Sequence, residues 1–200
     1  PETIYRHRFI ENTDKTEKIN LSAELFAGTA WLFSHPHFAK QLDYLFIDEA
    51  GQVATANVIG MASSTRNIIL VGDQMQLGQP LKGTHPGEAG MSVLRYLLQS
   101  QDTIPPDRGI FLGLTWRLRP SICRFISDAF YEGRLKNHPV TVKRTLALEA
   151  TDLPNEGVVM ISINHSGCSQ KSVEEAGVIK SHFDDLLVQS FTDSEGRSRI

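Results

Sequence analysis

The sequence predicts an α/β fold in which a parallel sheet is flanked by helices. Two apolar runs, at residues 44–47 and 67–71, each have the length and composition of a buried parallel strand. The residues between them, 53–64, show the spacing of apolar side chains that is typical of a helix. Strand, helix and strand in this order form a βαβ unit, which joins neighbouring strands of a parallel sheet.

The residues before this unit are less strongly patterned. Residues 1–20 are polar and predict an exposed arm. A short helix is predicted at 20–27, because Gly28 is a typical residue at the end of a helix. Residues 29–33 predict a further strand, which a proline-containing loop connects to the unit.

The segment after the unit begins with a surface loop. Residues 78–87 are rich in glycine and proline, which favour turns. A helix is predicted at 88–98 because its leucines fall on one face. A polar, proline-rich link at 103–107 then precedes a short apolar strand at 109–114, and a domain boundary is predicted near 113–120.

A well-marked helix begins at Pro120, since proline is favoured at the first helical position, and ends before Gly133. Its predicted inward face is an apolar stripe made of Ile122, Phe125, Ile126, Ala129 and Phe130. Residues 134–156 predict mostly loop, and residues 157–163 predict a strand.

A capping-box pattern predicts the start of a last helix, because Ser172 is followed three residues later by Glu175. The apolar residues of this helix fall on one face that is predicted to point inward. They are Ala176, Ile179, Phe183, Leu186 and Leu187.

Composition places the chain among globular proteins, with 40% hydrophobic and 22% charged residues in a length of 200. A net charge of −3 does not indicate nucleic acid, although a local basic groove remains compatible with it. Cys123 and Cys168 lack metal-ligand spacing, which favours a reducing, intracellular and therefore cytoplasmic setting. No apolar stretch has the roughly 18 residues that a membrane span needs, so no membrane partner is expected.

The candidate site lies where the two strands of the βαβ unit end. Ligands of open α/β sheets bind outside the carboxyl ends of the strands, so Asp48, Glu49, Asp73 and Gln76 are expected in one crevice. One carboxylate suits a magnesium ion, a second suits the orientation of water, and an amide suits contact with phosphate. The alternative is that an acidic pair merely ends a strand.

Four segments together resemble the motifs of superfamily 1 helicases. Residues 46–52 (FIDEAGQ) and 69–77 (ILVGDQMQL) resemble motifs II and III, and residues 114–135 resemble the arginine-containing block that follows them. Residues 28–30 resemble a motif upstream of motif II. The branch concerned includes the nonsense-mediated-decay RNA helicase, senataxin and the Dna-two-type helicase-nucleases. Residues 81–87 resemble a bacterial subset in which a nuclease-like domain is fused before the helicase.

The resemblance implies a role for four residues in ATP hydrolysis. Asp48 would hold Mg²⁺ beside ATP, and Glu49 would polarise the attacking water. Gln76 would contact the γ-phosphate. Arg117 would act as an arginine finger, a task that suits its planar, permanently charged guanidinium. A surface salt bridge is the alternative role for Arg117.

Contacts with nucleic acid are implied more weakly. Gly28 and Thr29 match the motif that touches the nucleic-acid strand, with the plain start of a strand as the alternative. Trp116 is a candidate for stacking on bases. The sequence departs from the branch where Thr115 and Trp116 replace a glutamine and a tyrosine, and where Gln79 intervenes before a proline.

As a whole, the resemblance implies a RecA-like P-loop NTPase fold. Residues 1–113 would form the C-terminal half of a first lobe, and residues 114–200 would begin a second. The parent protein would couple ATP hydrolysis to movement on single-stranded DNA or RNA. The phosphate-binding pattern G-x-x-x-x-G-K-[ST] does not occur in the sequence, so the 200 residues alone are expected neither to bind ATP tightly nor to hydrolyse it.

Two other functions fit parts of the pattern. In the first, the protein is a non-catalytic, ATP-gated clamp on nucleic acid, and an intact lysine-containing loop upstream would argue against it. In the second, it is another metal-dependent phosphohydrolase, for which Asp184 and Asp185 on the last helix are additional clustered carboxylates. His35 and His37 lack a third ligand nearby and do not predict a metal site.

Overall fold

The computed structural model describes residues 18–78, 80, 83, 85–149 and 151–199, which form two compact units divided between Gln101 and Asp102. The arm predicted at 1–20 lies almost entirely outside the described residues. The helices and strands of the first unit are α1 (Ala30–Phe33), β1 (Leu42–Ile47), α2 (Thr55–Met61), β2 (Thr65–Leu70) and α3 (Val93–Leu98).

The predicted βαβ unit is present in the first unit. Strands β1 and β2 are parallel, with Leu42 opposite Thr65 and Ile47 opposite Leu70. Helix α2 and a 3₁₀ turn at Ala62–Ser64 connect them. The strands therefore end at the same edge of the sheet, as the sequence predicts.

The core of the first unit lies on one face of this sheet. Leu45 and Ile47 of β1 pack with residues of α2 and α3 and with Phe38, which has no exposed surface. On the other face, Phe46 is 66% exposed. The prediction that both runs are buried strands is therefore wrong for the outer face of β1 and for most of β2, since helices cover only one side of the described sheet.

Three predictions at the edges of this unit are also corrected. Residues 20–27 form turns and bends rather than a helix, and the strand predicted at 29–33 is helix α1. Among the described residues, no strand pairs with that segment. The segment turns so that Phe33 packs edge-on against Phe38, with 5.7 Å between the ring centroids. The helix predicted at 88–98 shortens to α3, because Ser92 caps its N-terminus by accepting a hydrogen bond from the Arg95 amide.

The second unit contains two small sheets and two longer helices. Its elements are β3 (Leu114–Thr115), α4 (Pro120–Phe130), β4 (Lys136–Asn137), β5 (Thr145–Ala147), α5 (Val173–Leu187), β6 (Ser190–Thr192) and β7 (Ser198–Arg199). Strand β3 is parallel to β4, and β5, β6 and β7 form an antiparallel sheet in that order.

The segment before β3 packs within the second unit, which explains why the boundary between units falls before the predicted 113–120. The Arg134 guanidinium lies 4.5 Å above the Phe111 ring centroid and donates to the carbonyl of Ile104 at 3.2 Å. It also donates to the hydroxyl of Thr103, which in turn donates to Glu132. These contacts form instead of the strand predicted at 109–114. Of the residues in that range, only Leu114 pairs with another strand, opposite Lys136.

Helix α4 begins at Pro120 as predicted, but its buried face is not the predicted one. Cys123 and Ser127 are buried, whereas Phe125 is 53% exposed. The Ser127 hydroxyl accepts the Leu135 amide at 3.0 Å, which draws the polar side of the helix toward the segment leading to β4. Burial also raises the pKa of the Cys123 thiol, consistent with a packing role.

Helix α5 begins as predicted, because Ser172 accepts a hydrogen bond from the Glu175 amide at 3.1 Å. The Glu175 side chain pairs with His165 instead of completing the capping box. No α5 residue is buried, so the prediction of an inward apolar face is wrong for the described residues. The strand predicted at 157–163 does not form either, and Met160 is 89% exposed.

A glycine within α5 provides a test of this helix. Gly177 has open space where a Cβ would stand, so Gly177→Ala is expected to stabilise the chain by about 1 kcal/mol through helix propensity. Gly167→Ala is the matched control, because Gly167 also has open space but a φ of +70° that alanine tolerates poorly. Urea denaturation should separate the two in sign, and a destabilising Gly177→Ala would contradict the assignment of α5.

The turn between β6 and β7 provides a pH-dependent test. The backbone and side chain of Arg197 donate to the Asp193 carboxylate and lower its pKa from 3.8 to about 2. Because the folded value lies below the usual one, this contribution to stability is present above pH 4 and disappears as the pH falls toward 2. An NMR titration of the Asp193 side chain should show the lowered midpoint. Arg197→Ala should raise this midpoint only part of the way toward 3.8, because the backbone amide of residue 197 still donates to the carboxylate.

No helix in the described part of the chain has the length and apolar composition to cross a membrane.

Candidate nucleotide and nucleic-acid site

The two strands of the first unit bring the predicted acidic and amide residues to one edge. Asp48 follows directly after β1, and Asp73 follows β2 by three residues. Backbone pairing continues past both strands, since the Ala50 amide donates to the Val71 carbonyl at 2.9 Å. The loop 48–52 therefore lies beside the loop 72–76, which is the predicted juxtaposition.

Glu49 has an unusual backbone conformation. Its φ is +52°, in the left-handed region that residues other than glycine rarely adopt. Its amide donates to the Asp48 carboxylate at 3.0 Å, and both side chains are exposed. Strained conformations of this kind occur preferentially at functional sites, and here the strain turns the chain sharply at the acidic pair.

Two glycines allow the loops to touch. A Cβ on Gly51 would stand 2.0 Å from the Asp73 carbonyl oxygen, and a Cβ on Gly72 would stand 2.6 Å from the Ala50 nitrogen. Both distances are far below van der Waals contact, so a side chain fits at neither position. Neither glycine is among the site residues predicted from the sequence, where the only signal is a glycine in each strand-end segment.

Asp73 organises its own loop. One carboxylate oxygen accepts the Met75 amide at 2.9 Å, and the other accepts the Gln76 side-chain amide at 3.2 Å. Asp73 therefore holds the side chain of Gln76, which is exposed. Asp73 is thus a supporting residue in this arrangement.

The donor set is compatible with a magnesium ion that keeps several waters. Among the described residues, no group of three or more His, Cys, Asp or Glu side chains is arranged to hold a metal. Asp48 is a single exposed carboxylate with one oxygen bonded to the Glu49 amide, which leaves its other oxygen as a hard ligand. His37 does not resemble a metal ligand, because its ring nitrogen contacts the Ile19 carbonyl at 3.2 Å.

Gly28 and Thr29 precede helix α1, so the alternative that they start a strand is wrong. Thr29 is the N-cap residue of that helix, without a capping bond from its side chain, and it is exposed. A Cβ on Gly28 would stand 2.3 Å from the Leu32 side chain. Their contact with nucleic acid stays a prediction.

Arg117 lies in the second unit, two residues after the end of β3. Its amide donates to the Thr115 hydroxyl at 3.2 Å, and its carbonyl accepts from the Arg144 guanidinium at 2.7 Å. The backbone is thereby held on both sides while the side chain is exposed.

Trp116 stacks on His138, a partner that is not predicted from the sequence. Its ring lies 3.5 Å from the His138 ring at an interplanar angle of 15°. His138 is fixed in turn, because its amide donates to the Thr115 carbonyl at 2.8 Å and its ring accepts the Val140 amide. His138 thus stacks on the ring of Trp116, and the residue is still 59% exposed, which suits Trp116 to further stacking on a flat ring.

No protein-family model matches the chain. The chain is 25% identical over 177 residues to the DNA replication ATP-dependent helicase/nuclease DNA2 of Gallus gallus, covering 87% of this chain and 17% of that protein. It is 28% identical over 158 residues to the ATP-dependent helicase NAM7 of Saccharomyces cerevisiae, covering 77% and 16%. It is 29% identical over 142 residues to the Regulator of nonsense transcripts 1 homolog of Neurospora crassa, covering 68% and 12%.

The chain thus spans less than a fifth of the length of each of these relatives. Their names fall in the branch that the motifs of residues 28–135 resemble. ATP-dependent helicases recur among them in both the DNA2 and the NAM7 groups. The chain is therefore homologous to superfamily 1 helicases of the branch that contains the DNA2 helicase/nucleases and the NAM7-type helicases.

Proposed function

We propose that this chain is part of a helicase or translocase that couples ATP hydrolysis to movement on single-stranded nucleic acid. The observation that carries this function is the juxtaposition of two strand-end loops, one bearing Asp48 and Glu49 and the other bearing Gln76, in a chain homologous to ATP-dependent helicases.

Asp48 and Glu49 divide the chemistry between them. Asp48 offers one carboxylate oxygen to Mg²⁺, directly or through water, and the ion supplies positive charge to the phosphates when bound. Glu49 accepts a hydrogen bond from the attacking water and orients it in line with the γ-phosphate.

Gln76 is suited to contact the γ-phosphate because its amide carries two N–H groups. One of them donates to Asp73 at 3.2 Å, which fixes the amide plane and leaves the other N–H for a phosphate oxygen. Loss of the γ-phosphate would release this bond and change the position of the 73–76 loop.

In the second unit, Arg117 is assigned as the arginine finger and Trp116 as a stacking platform for a base. Gly28 and Thr29 are assigned to contact with the nucleic-acid strand. Residues 1–113 are assigned to the C-terminal half of a first RecA-like lobe, and residues 114–200 to the beginning of a second. Closure of two such lobes on ATP and opening after hydrolysis would drive the stepping.

The assigned ligands are ATP with Mg²⁺ and single-stranded DNA or RNA. Because the names of several relatives include a nuclease, a nuclease-like domain fused in the parent protein is part of the same hypothesis.

The test is ATP hydrolysis by the full gene product that contains these residues, with and without single-stranded DNA or RNA. Stimulated turnover is expected, and the more stimulating polymer identifies the substrate. The isolated 200 residues should show no turnover, because the phosphate-binding pattern is absent from them. Strand binding without turnover in the full product would favour the ATP-gated clamp.

A further inference from the structure

We propose that Gly51 and Gly72 are positioning residues whose backbone contact locks the two strand-end loops together, so that Glu49 and Gln76 move as one unit. The inference deepens the proposed function and rests on it for its kinetic consequence, whereas the interlock itself is a property of the fold.

The contact is formed by backbone on both sides. At Gly51, a Cβ would stand 2.0 Å from the carbonyl oxygen and 2.8 Å from the carbonyl carbon of Asp73. At Gly72, a Cβ would stand 2.6 Å from the nitrogen of Ala50 and 3.0 Å from that of Gly51. Each glycine therefore faces the main chain of the opposite loop, where no flexible side chain can move aside.

Neither glycine is required by its own backbone angles. The positive-φ glycines of the described residues are Gly87, Gly133, Gly157, Gly167 and Gly196, and these two are not among them. Each glycine is needed because it leaves room for the backbone of the opposite loop, and not because of its conformational freedom. Any larger residue would force the loops apart by about 1 Å, since ordinary contact begins at 3.4 Å.

The interlock connects the carboxylate pair to the amide. Glu49 is followed by Ala50, which has no exposed surface and donates to Val71 at 2.9 Å. Gly51 then abuts the backbone of Asp73, whose side chain holds Gln76. A displacement of Gln76 on loss of a phosphate contact would thus be transmitted to the acidic pair through close-packed backbone.

The kinetic test uses single and double substitutions in the full gene product. Gly51→Ala and Gly72→Ala should each lower kcat by about 100-fold, the loss associated with a misplacement near 1 Å, with KM for ATP changed much less. Because both act on one contact, the double variant should be no slower than the slower single variant. Gly78→Ala is the matched control, since open space surrounds its Cβ position, and should leave kcat unchanged.

A second readout does not need ATP turnover. Hydrogen exchange at the Ala50 amide should be slow in the unmodified chain and in Gly78→Ala, and faster in Gly51→Ala. If Gly51→Ala does not fold, the same exchange measurement on Gly72→Ala tests the interlock. Its Cβ would stand 2.6 Å from the nearest atom, compared with 2.0 Å at Gly51.

The outcomes separate the interlock from the proposed function. If the unmodified protein does not hydrolyse ATP but Gly51→Ala loses protection from exchange at the Ala50 amide, the proposed function is wrong and the interlock is supported. Unchanged exchange and unchanged kcat in both glycine variants would overturn the interlock, and so would losses that multiply in the double variant.

Discussion

Replacing Glu49 with glutamine is expected to lower nucleic-acid-stimulated ATP turnover by about 10²–10⁴-fold, the usual contribution of a positioned general base. Glutamine has the shape of glutamate but cannot accept a proton from the attacking water. Both residues meet the same strain at a φ of +52°, so the fold should be unaffected. The measurement is kcat with saturating single strand, together with the affinity for ATP, which should change little.

Glu88→Gln is the control for this substitution, because Glu88 is an exposed glutamate in the same unit and outside the strand-end loops. It should leave kcat unchanged. Turnover retained in Glu49→Gln would reduce Glu49 to an acidic residue that merely ends a strand.

Replacing Arg117 with alanine is expected to lower kcat by about 10³–10⁵-fold, the range associated with an arginine finger. Arg117→Lys should recover little of this loss, since an ammonium group lacks the planar fork that binds phosphate through two hydrogen bonds. The Thr115 and Arg144 bonds to the backbone of residue 117 should survive both changes. Steady-state kinetics and thermal melting should be measured on the same preparations.

The matched control is Arg124→Ala, an exposed arginine on α4 in the same unit. A role for Arg117 in a surface salt bridge would give the opposite pattern, with a lowered melting temperature and an unchanged kcat.

The elements that the sequence predicts well are those with a strong local signal. Strands β1 and β2 combine an apolar run with a polar end, and the parallel pairing follows from the helix between them. The starts of α4 and α5 follow from Pro120 and Ser172, whose preferences depend only on the neighbouring residues of the chain. These signals also place Asp48 and Asp73 at neighbouring strand ends.

The predictions that fail concern what covers each element. The apolar run at 157–163 has the composition of a strand, yet composition does not provide a pairing partner. The stripe containing Phe125 has helical period, but the hydrogen bond between Ser127 and Leu135 decides which face is buried. The glycine contact of the site and the His138 stack likewise join residues far apart in the chain, which no local pattern contains.

The stack of Trp116 on His138 also gives this protein an optical probe. The chain contains two tryptophans, and the other, Trp31, is 87% exposed in the first unit. Within these 200 residues, a Trp31→Phe background leaves Trp116 as the single tryptophan, whose emission a stacked base would quench. Stacking of a base on Trp116 can then be followed by light, in real time and without labelling either the protein or the strand.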